Sequence, residues 1–361
     1  MLKLHRSAAL LFATVAVSAC ADRNASTPTS PLSPAVRADA ISTDPATIRL
    51  GYFSKSVVVE MGKRHGFFAD ESLAVVDSQT SSSPVIFRKL RDRQWDVILT
   101  QIDNVFNYRY NQSNPLGGTF APVAFLQTDW GNGASLMARP EFTTVESLRG
   151  KTVAVDSPNS GFAFVLYGIM RAHGLEKGVD YNVVVTGGTP FRYADLLAGK
   201  FDATILNSGY QFQAADAGMQ TLGGISDAAS PFAGGSAVAL QDWLDSNPDV
   251  AVRFVRSYLR AQAYVLDPAN KDEVLAWLTA DAKGNASVAQ HTYEVLTTAG
   301  DGLVPDGHIM KKPLYGTAAL RASFGGFDTP MDLDWLVSKK SGVYDLTAWH
   351  HATDSDSTAD F

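Results

Sequence analysis

The sequence predicts an α/β protein with two similar lobes, each built on a parallel-rich sheet flanked by helices. Short apolar strand patterns alternate with amphipathic helix patterns over residues 48–99 and again over 152–206. This alternation is typical of βαβ units, whose crossover connections make neighbouring strands parallel. The two stretches also echo each other, because residues 94–99 read QWDVIL and residues 200–206 read KFDATIL. Any α/β chain can produce such an echo by chance, but two similar lobes explain it more simply.

The first stretch has clear helix boundaries. His65-Gly66 ends one predicted helix, because glycine is favoured just past a helix C-terminus. Ser83-Pro84 begins the next, because proline is favoured in the first helical turn. The predicted elements are, in order, a strand at 48–52, a helix at 56–64, a strand at 74–76, a helix from 83 and a short buried strand at 97–99.

The second stretch repeats this order. Gly174 and Gly199 each follow a predicted helix and are expected to end it. The predicted elements are a strand at 152–155, a helix at 162–171, a strand at 183–185, a helix at 193–198 and a strand at 203–206. Two consecutive βαβ units of this kind predict a second parallel-rich sheet.

Beyond residue 230 helical patterns dominate, and we expect these helices to pack back on the first lobe. They are predicted from 247, at 271–278, at 309–324 and at 333–337. The chain would then cross between the lobes twice, near 130–135 and near 224–235, where glycines suit a hinge. The predicted domains are a first lobe at 46–133 plus 226–345 and a second lobe at 134–225.

The pattern of the N-terminal residues predicts that the protein is exported from the cytoplasm. Lys3, His5 and Arg6 precede an apolar stretch at 8–17 that is too short for a permanent membrane helix. Residues 1–20 therefore form a predicted signal peptide. Its last residues, Val17-Ser18-Ala19-Cys20, resemble the lipobox of bacterial lipoproteins, which implies lipidation of Cys20. An ordinary secreted protein with an incidental cysteine is the alternative.

Both ends of the mature chain are predicted to lie outside the packed lobes. Residues 21–45 are rich in Ser, Thr, Pro, Ala and Asp, and we expect a flexible tether because such a stretch buries little apolar surface. Residues 346–361 form a predicted acidic tail, frayed except where Trp349 docks.

The composition excludes several classes of function. The net charge is −7 and no long run of lysine or arginine occurs, so nucleic acid is not an expected partner. Cys20 is the only cysteine, which excludes disulfides and thiolate metal sites from the mature body. The sequence contains no nucleophile elbow, phosphate-binding loop or HExxH motif. We therefore predict no catalytic residues, no cofactor and no metal site.

Five segments resemble the solute-binding proteins of the sulfonate, nitrate and thiamine-precursor type, the receptors of ABC importers. They are IRLGY at 48–52, KRHGFF at 63–68, WDV at 95–97, LRGKTVAV at 148–155 and LAGKFDA at 197–203, and the likeness spans about 46–280. The resemblance implies a type II periplasmic-binding-protein fold, a monomer that binds a small-molecule solute, and partnership with a permease and an ATPase. It also implies a position on the periplasmic side of the envelope, lipid-anchored in the inner or the outer membrane.

Parallel sheets present loops and helix N-termini at the C-terminal ends of their strands, where polar groups of a ligand are favoured. A solute is therefore expected between such loops of the two lobes, which close around it without chemistry. The candidate ligand-binding residues are Tyr52, Phe53, Ser54, Lys55, Asp103, Asn104 and Trp130 in the first lobe, and Asp156, Ser157, Asn159, Ser160, Phe162, Gly188, Thr189, Phe191, Asn207 and Tyr210 in the second.

Each candidate has a structural alternative. Ser157, Asn159 and Ser160 equally suit helix capping, Gly188 suits a plain turn, and Trp130 suits a wedge at the hinge. The phenylalanines and tyrosines of the set suit the core as well as a planar ligand. The sequence leaves these alternatives open.

The charged side chains among the candidates limit the chemical class of solute that the site is predicted to bind. Asp103 and Asp156 would oppose a bare anion unless Lys55 or Arg192 neutralises them, or unless each is paired within its own loop. This favours a neutral, zwitterionic or partly aromatic organic solute, with donors for the aspartates, over a simple anion, and a sulfonate-like solute is still open. Two other functions also remain open: an enzyme acting on a small cyclic metabolite, since the fold is similar to that of menaquinone-pathway enzymes, and a ligand sensor outside transport.

Overall fold

The computed structural model describes residues 44–355, and its framework is two five-stranded sheets. The strands of the first sheet are β1 (Ala46–Tyr52), β2 (Leu73–Gln79), β3 (Val97–Gln101), β4 (Pro122–Gln127) and β10 (Gly235–Leu240). Those of the second are β5 (Ser135–Ala138), β6 (Thr152–Val155), β7 (Asn182–Val185), β8 (Ala203–Leu206) and β9 (Gln220–Gly224). The predicted signal peptide at 1–20 with Cys20, most of the predicted tether at 21–45, and residues 356–361 lie outside the described residues.

Helices connect and cover these strands. They are α1 (Val57–Arg64), α2 (Phe67–Asp70), α3 (Ser83–Arg91), α4 (Asp103–Tyr110), α5 (Gly161–Ala172), α6 (Thr189–Leu197), α7 (Tyr210–Asp216), α8 (Ile225–Ala228), α9 (Gln241–Ser246), α10 (Pro248–Leu266), α11 (Lys271–Asp281), α12 (Ala286–Thr297), α13 (Lys311–Ser323), α14 (Leu333–Leu336) and α15 (Thr347–Thr353). Short 3-10 turns occur at Val145–Leu148, Pro268–Asn270 and Lys339–Ser341. No helix within residues 44–355 is both long enough and apolar enough to cross a membrane.

The two sheets share one topology, which confirms the predicted fold class. Their strand orders are β2-β1-β3-β10-β4 and β7-β6-β8-β5-β9. In the first, β1 runs parallel to both β2 and β3, and in the second, β6 runs parallel to both β7 and β8. Two antiparallel strands complete each sheet, because β10 pairs with β3 and β4, and β5 pairs with β8 and β9.

The sequence echo has a structural cause. Asp96 accepts a hydrogen bond from the backbone N–H of Arg49 at 2.8 Å, and Asp202 accepts one from the N–H of Thr152 at 2.8 Å. In both sheets the aspartate directly before one parallel strand thus binds the backbone of the neighbouring parallel strand, linking β3 to β1 and β8 to β6. Because the contact recurs at the same place, the echo reflects the repeated topology rather than chance.

The chain passes between the sheets twice, close to the glycine-rich segments noted in the sequence. Strand β4 belongs to the first sheet and β5 to the second, so the first crossing lies at 128–134. Strand β9 belongs to the second sheet and β10 to the first, so the second crossing lies at 225–234. The four strands beside these crossings were not predicted. Strands β4, β5 and β10 are short apolar runs with no periodicity that separates strand from helix, and β9 (QTLGG) has only one large apolar residue.

The C-terminal helices pack against helices that belong to both sheets, whereas the sequence led us to expect packing on the first lobe alone. Helix α10 packs against α1 and α2, as expected, but α12 packs against α7, and α13 packs against both α4 and α5. The segment predicted as a frayed tail also forms α15, which packs on α10. Trp349 is buried there and its Nε1 donates a hydrogen bond to the carbonyl of Asp306 at 2.7 Å, so this residue docks.

Gly51 provides a test of packing in the first sheet. A Cβ at this position would lie 2.4 Å from Cε3 of Trp95, whose ring is buried and whose Nε1 donates to Ser78 at 3.0 Å. Because the ring cannot move without losing this contact, we expect Gly51→Ala to lower the free energy of unfolding by about 1–3 kcal/mol. Urea titration measures the change.

The matched control is Gly224→Ala. A Cβ at Gly224 meets nothing nearer than the carbonyl oxygen of Ala134 at 3.8 Å. We expect a much smaller change, within about 0.5 kcal/mol. Equal losses in the two variants would contradict the steric explanation.

Candidate functional site

A cleft of about 150 Å³ lies where the C-terminal strand ends of the two sheets face each other. One side is formed by loops after β1 and β3 of the first sheet, and the opposite side by loops after β6, β7 and β8 of the second. Helices α11 and α12 contribute a third side, with Trp277, Leu278, Asp281, Thr292 and Leu296. The cleft thus lies where the parallel topology predicts a ligand site.

The structure brings many of the sequence-predicted site residues together in this cleft. They follow β1, β3, β6, β7 and β8, whose C-terminal ends meet at one edge of each sheet. Those that line the cleft are Tyr52, Phe53, Ser54, Lys55, Asn104, Asp156, Ser160, Phe162, Thr189 and Asn207.

The remaining candidates of the first sheet do not line the cleft. Asp103 is buried, and its carboxylate accepts hydrogen bonds from Nε and Nη2 of Arg321 at 3.0 and 2.6 Å. Burial raises the pKa of Asp103, while Arg321 opposes that shift. Trp130 lies at the first crossing, where its backbone N–H donates to the carbonyl of Gly302 at 2.8 Å. Asp103 is therefore paired with a distant helix, an arrangement that neither sequence alternative included.

The remaining candidates of the second sheet do not line the cleft either. Ser157 and Asn159 offer backbone carbonyls, to the N–H of Ser160 and to Arg321 respectively. The N–H of Gly188 donates to the carbonyl of Ser81 at 2.7 Å. Phe191 is 47% exposed on the surface, and Tyr210 packs against the ring of Tyr193.

Asp156 lines the cleft but is bound across it to the first sheet's layer. Its Oδ2 accepts hydrogen bonds from the backbone N–H of Ser83 at 3.1 Å and from the Ser83 hydroxyl at 2.6 Å, and its Oδ1 accepts one from Ser160 at 2.6 Å. Ser83 is the first residue of α3, so the carboxylate lies at a helix N-terminus, where negative charge is stabilised. The sequence anticipated pairing within the loop, which Ser160 supplies, but not the bridge to Ser83.

Other hydrogen bonds join the two sides of the cleft. The N–H of Gly161 donates to Oδ1 of Asn104 at 3.2 Å, and that of Gly188 donates to the carbonyl of Ser81 at 2.7 Å. Arg321 of α13, which binds Asp103 of the first sheet's layer, also donates through Nη2 to the carbonyl of Asn159 at 2.7 Å. The two sides are therefore in direct contact around the cavity.

The other charged side chains in the cleft also have protein partners. Arg192 is buried and donates to the carbonyls of Gly187 and Ile205 and to the hydroxyl of Thr189, at 2.8, 3.0 and 3.2 Å. Burial lowers the pKa of its guanidinium, and the charge of Asp156, 3.9 Å away, opposes that shift. Arg192 is thus held mainly by backbone carbonyls.

Asp129 and Asp281 are further carboxylates of the cleft that sequence reasoning missed. Asp129 accepts hydrogen bonds from the N–H groups of Gly131 and Gly235 at 2.8 and 3.1 Å, and from Thr128 at 2.8 Å. Burial raises the pKa of Asp129 and these hydrogen bonds counteract it. Asp281 lies 4.0 Å from Lys55, and burial raises its pKa also.

Unlike these charged groups, three neutral polar side chains of the cleft have buried atoms with no hydrogen-bond partner among residues 44–355. Gln101 is only 5% exposed, and neither its Oε1 nor its Nε2 has a hydrogen-bond partner among residues 44–355. Ser54 Oγ and Asn132 Oδ1 are likewise buried and without a partner in this part of the chain. Gln101 lies close to Gly161, where a Cβ would come within 1.9 Å of Oε1. A glycine at 161 is therefore needed for this placement of the amide.

Sequence reasoning selected Asp103 and Asn104, which follow shortly after Gln101, but not Gln101 itself. Its position at the end of β3, where the strand meets the cleft, was the available signal. For Trp277, Asp281 and Thr292 no signal existed, because helices α11 and α12 reach the cleft only through tertiary packing. No cluster of three or more potential metal ligands occurs within residues 44–355.

Comparison with known proteins shows which family the sequence matches. The sequence profile of the NMT1-like family matches residues 42–279. Among curated proteins, none matches this chain in sequence.

Solved structures share the fold. The periplasmic nitrate-binding protein NrtA from Synechocystis PCC 6803 is 15% identical, with a TM-score of 0.73 over 86% of this chain and 89% of that chain. The alkanesulfonate-binding protein SsuA from Xanthomonas axonopodis pv. citri, bound to MOPS, is 13% identical, with a TM-score of 0.66 over 84% and 99%. The periplasmic aliphatic sulphonate binding protein SsuA from Escherichia coli is 16% identical, with a TM-score of 0.60 over 81% and 91%. At these identities the likeness shows a common fold, that of periplasmic solute-binding proteins.

Proposed function

We propose that this chain, which belongs to the NMT1-like family, is the extracytoplasmic solute-binding receptor of an ABC importer. The observation that carries this proposal is a cleft lined from both sheets, around which the two sides are joined by hydrogen bonds. Such a cleft can open and close about the two chain crossings. A solute that contacts both sides stabilises the closed form, and no reaction is required.

The size and lining of the cleft support a small organic solute. A cavity of roughly 150 Å³ accommodates a molecule of about the size of benzene, and this cleft has a comparable volume. Tyr52, Phe53, Phe162 and Trp277 offer aromatic surface to a planar group. The structures of similar fold include binding proteins for nitrate and for sulfonates. This supports a transported solute that is about as large as these anions or slightly larger.

The proposed location is the periplasmic side of the cell envelope. Cys20 at the end of the signal-like segment would carry the lipid, and residues 21–45 would tether the two lobes to the membrane. The lobes themselves would comprise 46–133 with 226–345, and 134–225. A monomer of this form would deliver its solute to a permease and ATPase pair.

Native mass spectrometry of the protein purified from its host tests the proposal. We expect one small molecule per chain, released unchanged on denaturation, because a solute dissociates slowly from a closed cleft. Under denaturing conditions the same protein reports the mass of any acyl chains on Cys20.

Two variants sharpen this experiment. Phe162→Ala removes an aromatic ring from the cleft and is expected to reduce retention of the solute, while Tyr315→Ala on the surface of α13 is the control. Absence of any retained or exchangeable solute would contradict the receptor. Turnover of a cyclic metabolite without stoichiometric retention would instead identify an enzyme.

A further inference from the structure

We propose that the solute is uncharged and that the carboxamide of Gln101 recognises it through an adjacent acceptor and donor, as found in amides, lactams and cyclic ureas. This inference rests on the proposed receptor function and specifies the chemical class of its solute. It assigns to Gln101 the role of a specificity-determining residue.

The first argument is the state of Gln101 itself. Its side chain lines the cleft and is 5% exposed, yet both its acceptor and its donor lack a partner within residues 44–355. Buried side-chain amides are nearly always hydrogen-bonded, because an unpaired one loses its hydration without compensation. Both atoms are shielded from solvent in this structure, so the carboxamide would turn toward the cavity, where an amide-like edge of a solute satisfies both at once, its N–H donating to Oε1 and its carbonyl accepting from Nε2.

The second argument is that the other unpartnered atoms of the cleft are also neutral. Ser54 can donate or accept a hydrogen bond through its hydroxyl, and Asn132 can accept one through Oδ1. Both residues line the same cavity as Gln101. The cleft therefore offers several uncharged hydrogen-bonding groups to a polar solute.

The third argument is that the charged groups of the cleft are already engaged by the protein. Asp156 is bound by Ser83 and Ser160, Asp129 by two backbone N–H groups and Thr128, and Arg192 by two carbonyls and Thr189. Lys55 and Asp281 lie 4.0 Å apart, with Lys55 largely exposed. A charged solute would therefore have to displace one of these hydrogen bonds to pair with Asp156, Asp129 or Arg192, whereas Lys55 is held, within residues 44–355, only by its 4.0 Å contact with Asp281.

Asp156 argues against an anion in particular. Its carboxylate occupies the N-terminus of α3, one of several helix N-termini at the cleft, where a helix favours a negatively charged group. A sulfonate or carboxylate placed beside it would meet a like charge. A neutral solute meets no such repulsion.

Calorimetry with four single-ring probes tests the proposed class. Benzamide and 2-piperidinone are uncharged and carry the amide edge, whereas benzoate and benzenesulfonate are anions of similar size. With the intact protein freed of retained solute, we expect the two amides to bind at least tenfold more tightly than the two anions.

Variants then assign the effect to Gln101. Gln101→Leu keeps a side chain of similar length but removes both polar atoms, so we expect at least a tenfold loss of affinity for benzamide. Gln112→Leu replaces an exposed glutamine outside the cleft, and its affinity for benzamide should match that of the unaltered protein. Circular dichroism and thermal unfolding establish that both variants fold.

Several results would overturn this inference while leaving the receptor intact. One is an anion that binds as tightly as benzamide. Another is unchanged benzamide affinity in Gln101→Leu, which would mean that the carboxamide holds water only. A third is no binding of either amide by a protein that still retains a solute from its host. Failure to retain any solute would instead contradict the receptor function itself.

Discussion

Replacing Asp156 by alanine is expected to weaken solute binding by about 10- to 100-fold and to open the cleft. The carboxylate accepts hydrogen bonds from Ser83 on one side and Ser160 on the other, so its removal breaks a bridge between the two sides. Charge-assisted hydrogen bonds of this kind each contribute about 1.5–3 kcal/mol, and 1.4 kcal/mol corresponds to a tenfold change in affinity. A smaller population of the closed form lowers apparent affinity in proportion.

Solution scattering and calorimetry together measure this effect. We expect the solute-free Asp156→Ala protein to have a larger radius of gyration than the unaltered protein, and Asp156→Asn to lie between them because it keeps one acceptor oxygen. Asp272→Ala, an exposed position on α11, is the control. An unchanged radius and unchanged affinity in Asp156→Ala would show that the bridge does not stabilise closure.

Breaking the buried pair of Asp103 and Arg321 is expected to have the largest effect on stability. Both side chains are almost fully buried, and the guanidinium also donates to the carbonyls of Gly326 and Asn159, each at 2.7 Å. Removal of one partner leaves an uncompensated buried charge. We therefore expect Asp103→Ala to lower the free energy of unfolding by about 3–5 kcal/mol.

Urea titration of single and double variants tests the origin of this loss. Asp103→Leu combined with Arg321→Met removes both charges, and we expect it to recover much of the stability lost in Asp103→Ala. The exposed pair of Arg93 and Asp242 is the control, since Arg93→Ala should cost less than about 1 kcal/mol. A loss in Asp103→Ala no greater than that of the control would contradict the assigned role.

Much of the fold could be predicted from the sequence, because βαβ units are written in local patterns. The alternation of strand and helix over 48–99 and 152–206 predicted the three parallel strands of each sheet, and all of them are present. Strands β4, β5, β9 and β10 were not predicted. They are short and antiparallel, and their identity depends on strands more than thirty residues away in the chain.

The candidate site was predictable only in position. Residues such as Phe53, Asn104 and Asn207 follow parallel strands, and topology alone brings such residues to one cleft. The hydrogen-bond partners of Asp103 and Asp156 could not be predicted in this way. Both follow or adjoin strand ends, yet one is paired with Arg321 of α13 and the other with Ser83 of α3, and no local pattern announces either partner.

The sequence by itself determined the α/β class, the repeated topology, the location of the cleft and the likeness to solute-binding proteins. These follow from hydrophobic periodicity and from short-range turn and cap signals, which act between residues close in the chain. Only the tertiary structure decided which polar groups of the cleft are engaged by the protein and which, like the carboxamide of Gln101, have no partner within residues 44–355. Hydrogen bonds and ion pairs act over a few ångströms between residues that can be 200 positions apart, so their partners exist only once the two sheets and the C-terminal helices have met.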